Sequence, residues 1–450
     1  METKSGWTKK TKEEIKEIFR FCEGYKSFLS LAKTEREAIK VIEKQLITTG
    51  FKSDPGHHRT FSVNRGKTAV AFIKGEVPPA DGLNIIVAHI DAPRLDLKQN
   101  PLYEDVDLAL LRTHYYGGIK KYHWVAIPLA IHGVVIKKDG SKIELAIGED
   151  ENDPVFVIDD LLPHLSRKIQ DEKKLSEAIE GEKLTLLFGS MPLTGIEKES
   201  VKSGVLKLLY DSYGIIEEDF VSAELEIVPA FKARDVGIDR SMVGGYGQDD
   251  RACGYTLLEA VCNTFEPRRP CLAIFTDKEE IGSEGSTAIQ SSFLKLALTD
   301  ILKGMGMKTD EASIRNMLFK SKALSADVNG ALNPTYQDVH EKQNACRLGY
   351  GICISKFTGS GGKSGASDAN AEYVGEIRSL FNRDGVIWQT GELGKIDAGG
   401  GGTVAKHLAI YGMDIIDCGT PVLTMHSPFE ISSKLDIYET YRAFKSFFNA

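Results

Sequence analysis

The sequence predicts a mixed α/β protein in which one sheet, covered by helices on both faces, is interrupted by a β-rich insertion. Three observations lead there. Two uninterrupted apolar runs, residues 83–88 (LNIIVA) and 271–276 (CLAIFT), have the length and composition of strands buried on both faces. After Arg240, strand-like and helix-like segments alternate, as in a sheet flanked by helices. Between about Leu97 and Arg240 the texture is different: residues 125–137 and 142–147 read as strands, with Asp139-Gly140 marking a turn. The chain has 450 residues, more than one ordinary core accommodates. The expected division is therefore 1–95 with 240–450 for the main domain and 96–239 for the insertion.

The elements follow in order. Thr34-Glu35-Arg36-Glu37 is a T-x-x-E capping box ahead of an amphipathic run, 38–47, that stops near Gly50. Strands are expected at 61–63, 68–73 and 83–88. Within the insertion, 159–187 adds helix-like patterning to the strands. Beyond Arg240 come a helix at 251–265, the strand at 271–276 and a long helix from about Ser286. A strand end at 323–326, a helix at 367–380 and a capped C-terminal helix at 431–448 complete the series.

Composition excludes several classes of function. A net charge of −8 and the lack of a dense Lys/Arg run exclude nucleic acid as the main partner. The opening METKSGWTKKTKEEIKEIFR has no apolar core of a secretory signal, and no apolar run reaches membrane-spanning length, so no membrane partner is expected. Seven scattered cysteines without a C-x-x-C pair suit a reducing compartment, and the expected location is cytoplasmic.

The chemistry-bearing residues gather where apolar strands end. Residues 83–88 run into His89-Ile90-Asp91, 271–276 into Asp277-Lys278-Glu279-Glu280, and 322–325 into Ala326-Asp327. In open α/β sheets, sites form beyond the carboxyl ends of strands, so these clusters can share one crevice. Asp249-Asp250, just before a helix, and His426 in LTMHSPFE are candidates to join them. Histidines with carboxylates form a nitrogen and oxygen ligand set that suits zinc, manganese or cobalt. In His-x-Asp, His89 can ligate while Asp91 fixes its tautomer. A Glu-Glu pair at one strand end offers a ligand and a separate base. Asp249, Glu280 and Asp327 supply three negative charges, and a hydroxide supplies a fourth against two divalent ions. Each piece alone has a plain reading: a structural H-x-D, a solvated E-E, a D-D helix cap, a core histidine. Their shared placement at strand ends favours the metal reading.

Eight segments then carry a resemblance: AHIDAPRLDLK (88–98), YYGGIKKYHW (115–124), LLPHLSR (161–167), QDDRACG (248–254), DKEEIGSEGS (277–286), SADVNGALNP (325–334), LGYG (348–351) and MHSPFE (425–430). In this order, spanning nearly the whole chain, they resemble the M18 metallo-aminopeptidases, the family of the aspartyl aminopeptidases and aminopeptidase I. The resemblance implies a mixed-sheet α/β/α di-metal exopeptidase domain interrupted by a β-rich association domain. It implies two divalent metal ions per subunit, zinc first among them, with manganese or cobalt also suited. His89 and Asp327 are the implied ligands of one ion, Glu280 and His426 of the other, with Asp249 bridging. Asp91 is implied behind His89. Glu279 is the implied general base, taking a proton from a bridging metal-bound water. His164 is implied to reach a neighbouring subunit's site and stabilise the tetrahedral intermediate. The implied substrates are peptides with a free N-terminus, and the implied assembly is a homo-oligomer, a dodecamer.

Two positions depart from the aspartyl members. Gly330 stands where they carry histidine, and the segment after LGYG is glycine-rich. Lys356 corresponds to a basic residue for an acidic first side chain, against a plain surface lysine. The alternatives are another hydrolase on the same di-metal core, a carboxypeptidase or deacylase, or a non-catalytic scaffold of this fold. Gly361-Gly362-Lys363-Ser364 fails as a phosphate loop because position 357 is Phe357, and AGGGGT (398–403) fails as a dinucleotide fingerprint at Val404. The latter reads either as a flexible loop or as a backbone that approaches a bound peptide closely. His57-His58 reads as a surface pair.

Overall fold

Two helices open the fold, and each starts on a reciprocal cap. In the computed structural model, which describes residues 4–450, α1 (Lys12–Leu31) begins at Thr11 and α2 (Glu35–Thr48) at Thr34. In each case the threonine hydroxyl accepts the amide of the third helical residue, and that residue's glutamate accepts the threonine amide. A hairpin of β1 (Arg59–Asn64) and β2 (Thr68–Ile73) follows, then β3 (Asn84–His89).

Contacts divide the chain into two units. The first takes the chain through Ala92, then Ala233–Met425 and Phe429–Ala450; the second takes Pro93–Lys232 and His426–Pro428. The second unit holds β4 (Arg94–Asp105), β5 (Leu108–Tyr116), β6 (Leu129–Ile136), β7 (Lys142–Ile147), β8 (Val157–Ile158), β9 (Thr185–Gly189) and β10 (Ala223–Pro229). They form an antiparallel sheet in the order β7-β6-β10-β4-β5-β9-β8. At Gly133, in β6, a Cβ would lie 2.0 Å from the Glu224 carbonyl of β10, so only glycine lets these strands meet. The stretch that patterns as helix is broken into short turns, α3 (Pro163–Ser166) and α4 (Leu175–Ala178), before β9. The longer α5 (Ser200–Tyr213) buries Val201, Val205 and Leu209.

In the first unit the chain resumes with β11 (Arg234–Val236), β12 (Met242–Gly245), α6 (Gln248–Cys262) and β13 (Cys271–Thr276). Next come α7 (Phe293–Gly304), α8 (Glu311–Phe319), β14 (Lys322–Ala326), β15 (Asn329–Gly330), β16 (Ile352–Ser355) and β17 (Gly359–Ser360). Last are α9 (Ala371–Arg383), β18 (Trp388–Thr390), β19 (Gly400–Gly401), α10 (Ala405–Ala409), β20 (Asp414–Gly419), β21 (Pro421–Leu423), β22 (Glu430–Ser433) and α11 (Lys434–Phe448). The main sheet runs β1-β2-β13-β3-β14-β20-β16-β18, with β13, β3, β14 and β20 mutually parallel. Successive residues on a strand face opposite sides. Ile86, Ala88, Ala273 and Phe275 accordingly join the core under α1, α2, α6, α9 and α11, while Ile85, Val87, Leu272 and Ile274 join the core under α7, α8 and α10. Burial on both faces is why these strands read as unbroken apolar runs rather than alternating ones. A smaller sheet, β11-β12-β22-β21-β15, sits in the same unit. Among the described residues no helix is long and apolar enough to cross a membrane.

Candidate metal centre

The carboxyl ends of neighbouring strands assemble the centre. β3 ends on His89, in register with Thr276 at the end of β13; β14 lies on the other side of β3 and leads into Asp327. Asp327 is drawn close to β20: its amide donates to the Cys418 carbonyl at 3.1 Å, and a Cβ on Gly419 would lie 1.9 Å from its own carbonyl oxygen. Only a glycine at 419 permits that approach.

Six of the sequence candidates come together here. His89 is buried, with Nε2 3.2 Å from Asp249 Oδ1 and 3.8 Å from Asp327 Oδ1. Its Nδ1 faces Asp91, 3.1 Å from the carbonyl oxygen and 3.3 Å from Oδ1. Asp91 reaches further: Oδ1 accepts the Glu279 amide at 3.1 Å and Oδ2 the Glu280 amide at 3.2 Å. One buried carboxylate therefore aligns both the imidazole of β3 and the Glu-Glu turn after β13. Donor atoms of His89, Asp249 and Glu280 lie within 4.8 Å of one another, as do those of His89, Glu279 and Asp327.

The electrostatics follow from this crowding. Burial alone drags the His89 pKa down, but Asp249, Asp327 and Asp91 outweigh it and hold the imidazole well above the ordinary histidine range. Burial pushes Glu279 up to about 8; His89 opposes the rise, while Asp327, Asp249 and Asp91 add to it. Asp250, wholly buried, is also held well above the carboxylate range by burial and then by Asp327. A pocket that gathers carboxylates around one imidazole calls for positive charge, and hard oxygen donors with one nitrogen fit a divalent ion of the zinc, manganese or cobalt kind.

Local structure explains the placement of Asp249. Gly247, at φ 72°, caps α6, and a Cβ there would lie 2.1 Å from Arg251 Nη1. Asp249 and Asp250 keep non-helical φ/ψ inside the segment, and the capping position falls on Gly247 rather than on either of them. The buried Arg251 donates to the Ile90 carbonyl at 3.2 Å and to the Lys33 carbonyl at 3.0 Å, fixing the exit of β3 between His89 and Asp91. Glu430 Oε2 accepts the Asp249 amide at 3.1 Å. Arg251, Gln248 and Glu430 lie inside quoted motifs, but the signal that assigns them is a contact between distant segments.

The remaining candidates are divided between the units. His426 groups with the second unit, its Nδ1 2.7 Å from the Gly118 carbonyl, a contact that places the proton on Nδ1 and the lone pair on Nε2. His164 is exposed on α3 of the second unit. Lys356 is exposed just past β16, and the space a side chain at Gly330 would need is taken by Leu393, 2.6 Å from the built Cβ. In the glycine-rich loop, Gly400 pairs with Ser360, and a Cβ there would lie 2.2 Å from the Gly359 carbonyl; this glycine is required by the chain's own backbone. His57 and His58 are exposed, as their surface reading expects.

Comparison with known proteins gives consistent results. The family model described as aminopeptidase I zinc metalloprotease (M18) matches residues 28–448. A probable M18 family aminopeptidase 1 from Clostridium acetobutylicum is 51% identical, over 100% of this chain and 98% of its own length. The counterpart from Thermotoga maritima is also 51% identical, over 99% and 98%. The crystal structure of the Thermotoga maritima M18 aminopeptidase superposes with a TM-score of 0.95 at 50% identity, covering 100% of this chain and 99% of that one.

Proposed function

The chain belongs to the M18 family of zinc metallo-aminopeptidases, and on that premise we propose how its residues divide the work. His89 and Asp327 would hold one divalent ion and Glu280 a second, with Asp249 shared between them; His426 is assigned to the second ion from the family pattern, and its tautomer suits ligation. The observation that carries this reading is the convergence of Asp249, Glu280, Asp327 and Glu279 on His89 at the strand ends.

Divalent ions held by these residues would supply polarisation of the scissile carbonyl and a lowered pKa for the attacking water. Glu279 takes the proton from that water and delivers it to the departing amine. Asp91 keeps Glu279 aimed by holding its amide, so the base does not swing with its turn. His164 stabilises the developing oxyanion in a neighbouring copy, and the proposed assembly is a dodecamer joined through the second unit. Leu161, Leu162, Leu165, Ile169 and Leu175, all exposed on that unit, supply apolar surface for it. A preference for an acidic first residue is proposed on Lys356 alone.

The test is hydrolysis of a panel of N-terminal aminoacyl substrates with zinc, manganese or cobalt, by wild type and Glu279→Gln. Loss of the base lowers kcat roughly 10²–10⁴-fold while the bound metal stays. A variant that keeps its rate, or that loses its metal, removes Glu279 from this role. Faster turnover of Asp and Glu than of Leu and Ala substrates supports the acidic preference, and the reverse order ends it.

A further inference from the structure

The Asp249 amide lies in the first turn of α6, where backbone amides have no acceptor within the helix. A buried line of side chains takes up that amide and leads to α1. Glu430 Oε2 accepts it at 3.1 Å. Gln248 Nε2 donates to the Glu430 carbonyl at 2.6 Å and the Val243 carbonyl at 3.1 Å, and Gln248 Oε1 accepts the Tyr25 hydroxyl at 3.0 Å. Tyr25 and Gln248 are 0% exposed and Glu430 1%. β22 holds Glu430 opposite Gly245 of β12, so its height beside Asp249 is set by strand register. A carboxylate wholly out of water is costly, and this one accepts the backbone amide of the proposed bridging ligand itself.

We infer that Glu430 is a positioning residue for metal retention, fixing the Asp249 carboxylate between two divalent ions, with Gln248 and Tyr25 locking Glu430 in place. This rests on the reading of Asp249 as the bridging ligand. Groups that hold metal ligands in place set affinity, and losing one typically costs 10- to 100-fold.

The experiment measures zinc affinity of the purified enzyme by competition with a chromogenic chelator, alongside the thermal midpoint of metal-stripped protein. Glu430→Leu lowers zinc affinity roughly 10- to 100-fold. Glu430→Gln, which keeps an acceptor oxygen, restores most of it. Tyr25→Phe, which preserves shape and removes only the hydroxyl, weakens zinc binding several-fold while the metal-free protein still unfolds cooperatively at a modestly lower midpoint, as loss of one buried hydrogen bond requires, and it decides the matter if Glu430→Leu does not fold. Wild-type zinc affinity in Tyr25→Phe and in any folded Glu430→Leu overturns the inference, provided Asp249→Ala loses zinc. Zinc retained in full by Asp249→Ala overturns the ligand reading, and the inference with it.

Discussion

Asp91 does more in this structure than orient a histidine. Its two oxygens serve the His89 ring and the amides of Glu279 and Glu280 together. Asp91→Ala strands the amides of Glu279 and Glu280 and leaves His89 Nδ1 with only the backbone carbonyl of residue 91, and zinc affinity falls about 10- to 100-fold with kcat/KM. Asp91→Asn presents only one acceptor oxygen and falls between the alanine variant and wild type. Zinc titration and kcat/KM on both variants check this, and an asparagine variant equal to wild type shows that the amides do not depend on it. At this scale the strand-end residues were legible in sequence because each sits directly after an apolar run. Glu430 and Arg251 were not, since their bonds to Asp249 and Ile90 span 181 and 161 residues. The reading of Asp249-Asp250 as a helix cap failed for a local reason: Gly247 takes the left-handed capping position two residues earlier.

Elements were legible where the signal is local. The Thr34 capping box marks the start of α2 in sequence and structure alike. Thr34→Ala exposes the amide of Glu37 and costs about 1 kcal/mol; the thermal midpoint drops while kcat stays at the wild-type value, because the cap lies at the helix entry. A simultaneous loss of kcat contradicts this local assignment. The runs 83–88 and 271–276 became β3 and β13, since continuous apolarity reports burial on both faces. Boundaries set by distant partners were not legible. The helix expected from about Ser286 begins at Phe293, because the Ser286 carbonyl is taken by Asn64 and Ala288 bridges to Asp277. The C-terminal helix expected from residue 431 gives up its first residues to β22, which pairs with β12 and β21.

For the molecule as a whole, the mixed α/β class was legible from alternation after Arg240, and the M18 match confirms the family. How copies associate is a property of surfaces, and one chain's apolar periodicity does not encode it. The proposed dodecamer is tested by light scattering: wild type has twelve times the mass of one chain, and Leu165→Asp, within the exposed apolar run of the second unit, shifts the mass downward. A monomer in wild type at working concentration ends the assembly proposal.

The strand order carries a temporal consequence. β3, which bears His89, lies between β13 and β14 in the sheet, while in the chain both come only after Pro93–Lys232 of the second unit. On the ribosome, β3 waits for roughly 180 further residues before its first parallel neighbour exists, about 10–40 s at 5–20 residues per second. Glu430 and α11 emerge later still. A chain released before β13 and β14 are made holds β3 without the strands that bring Glu279, Glu280 and Asp327 beside His89, and so has no assembled centre.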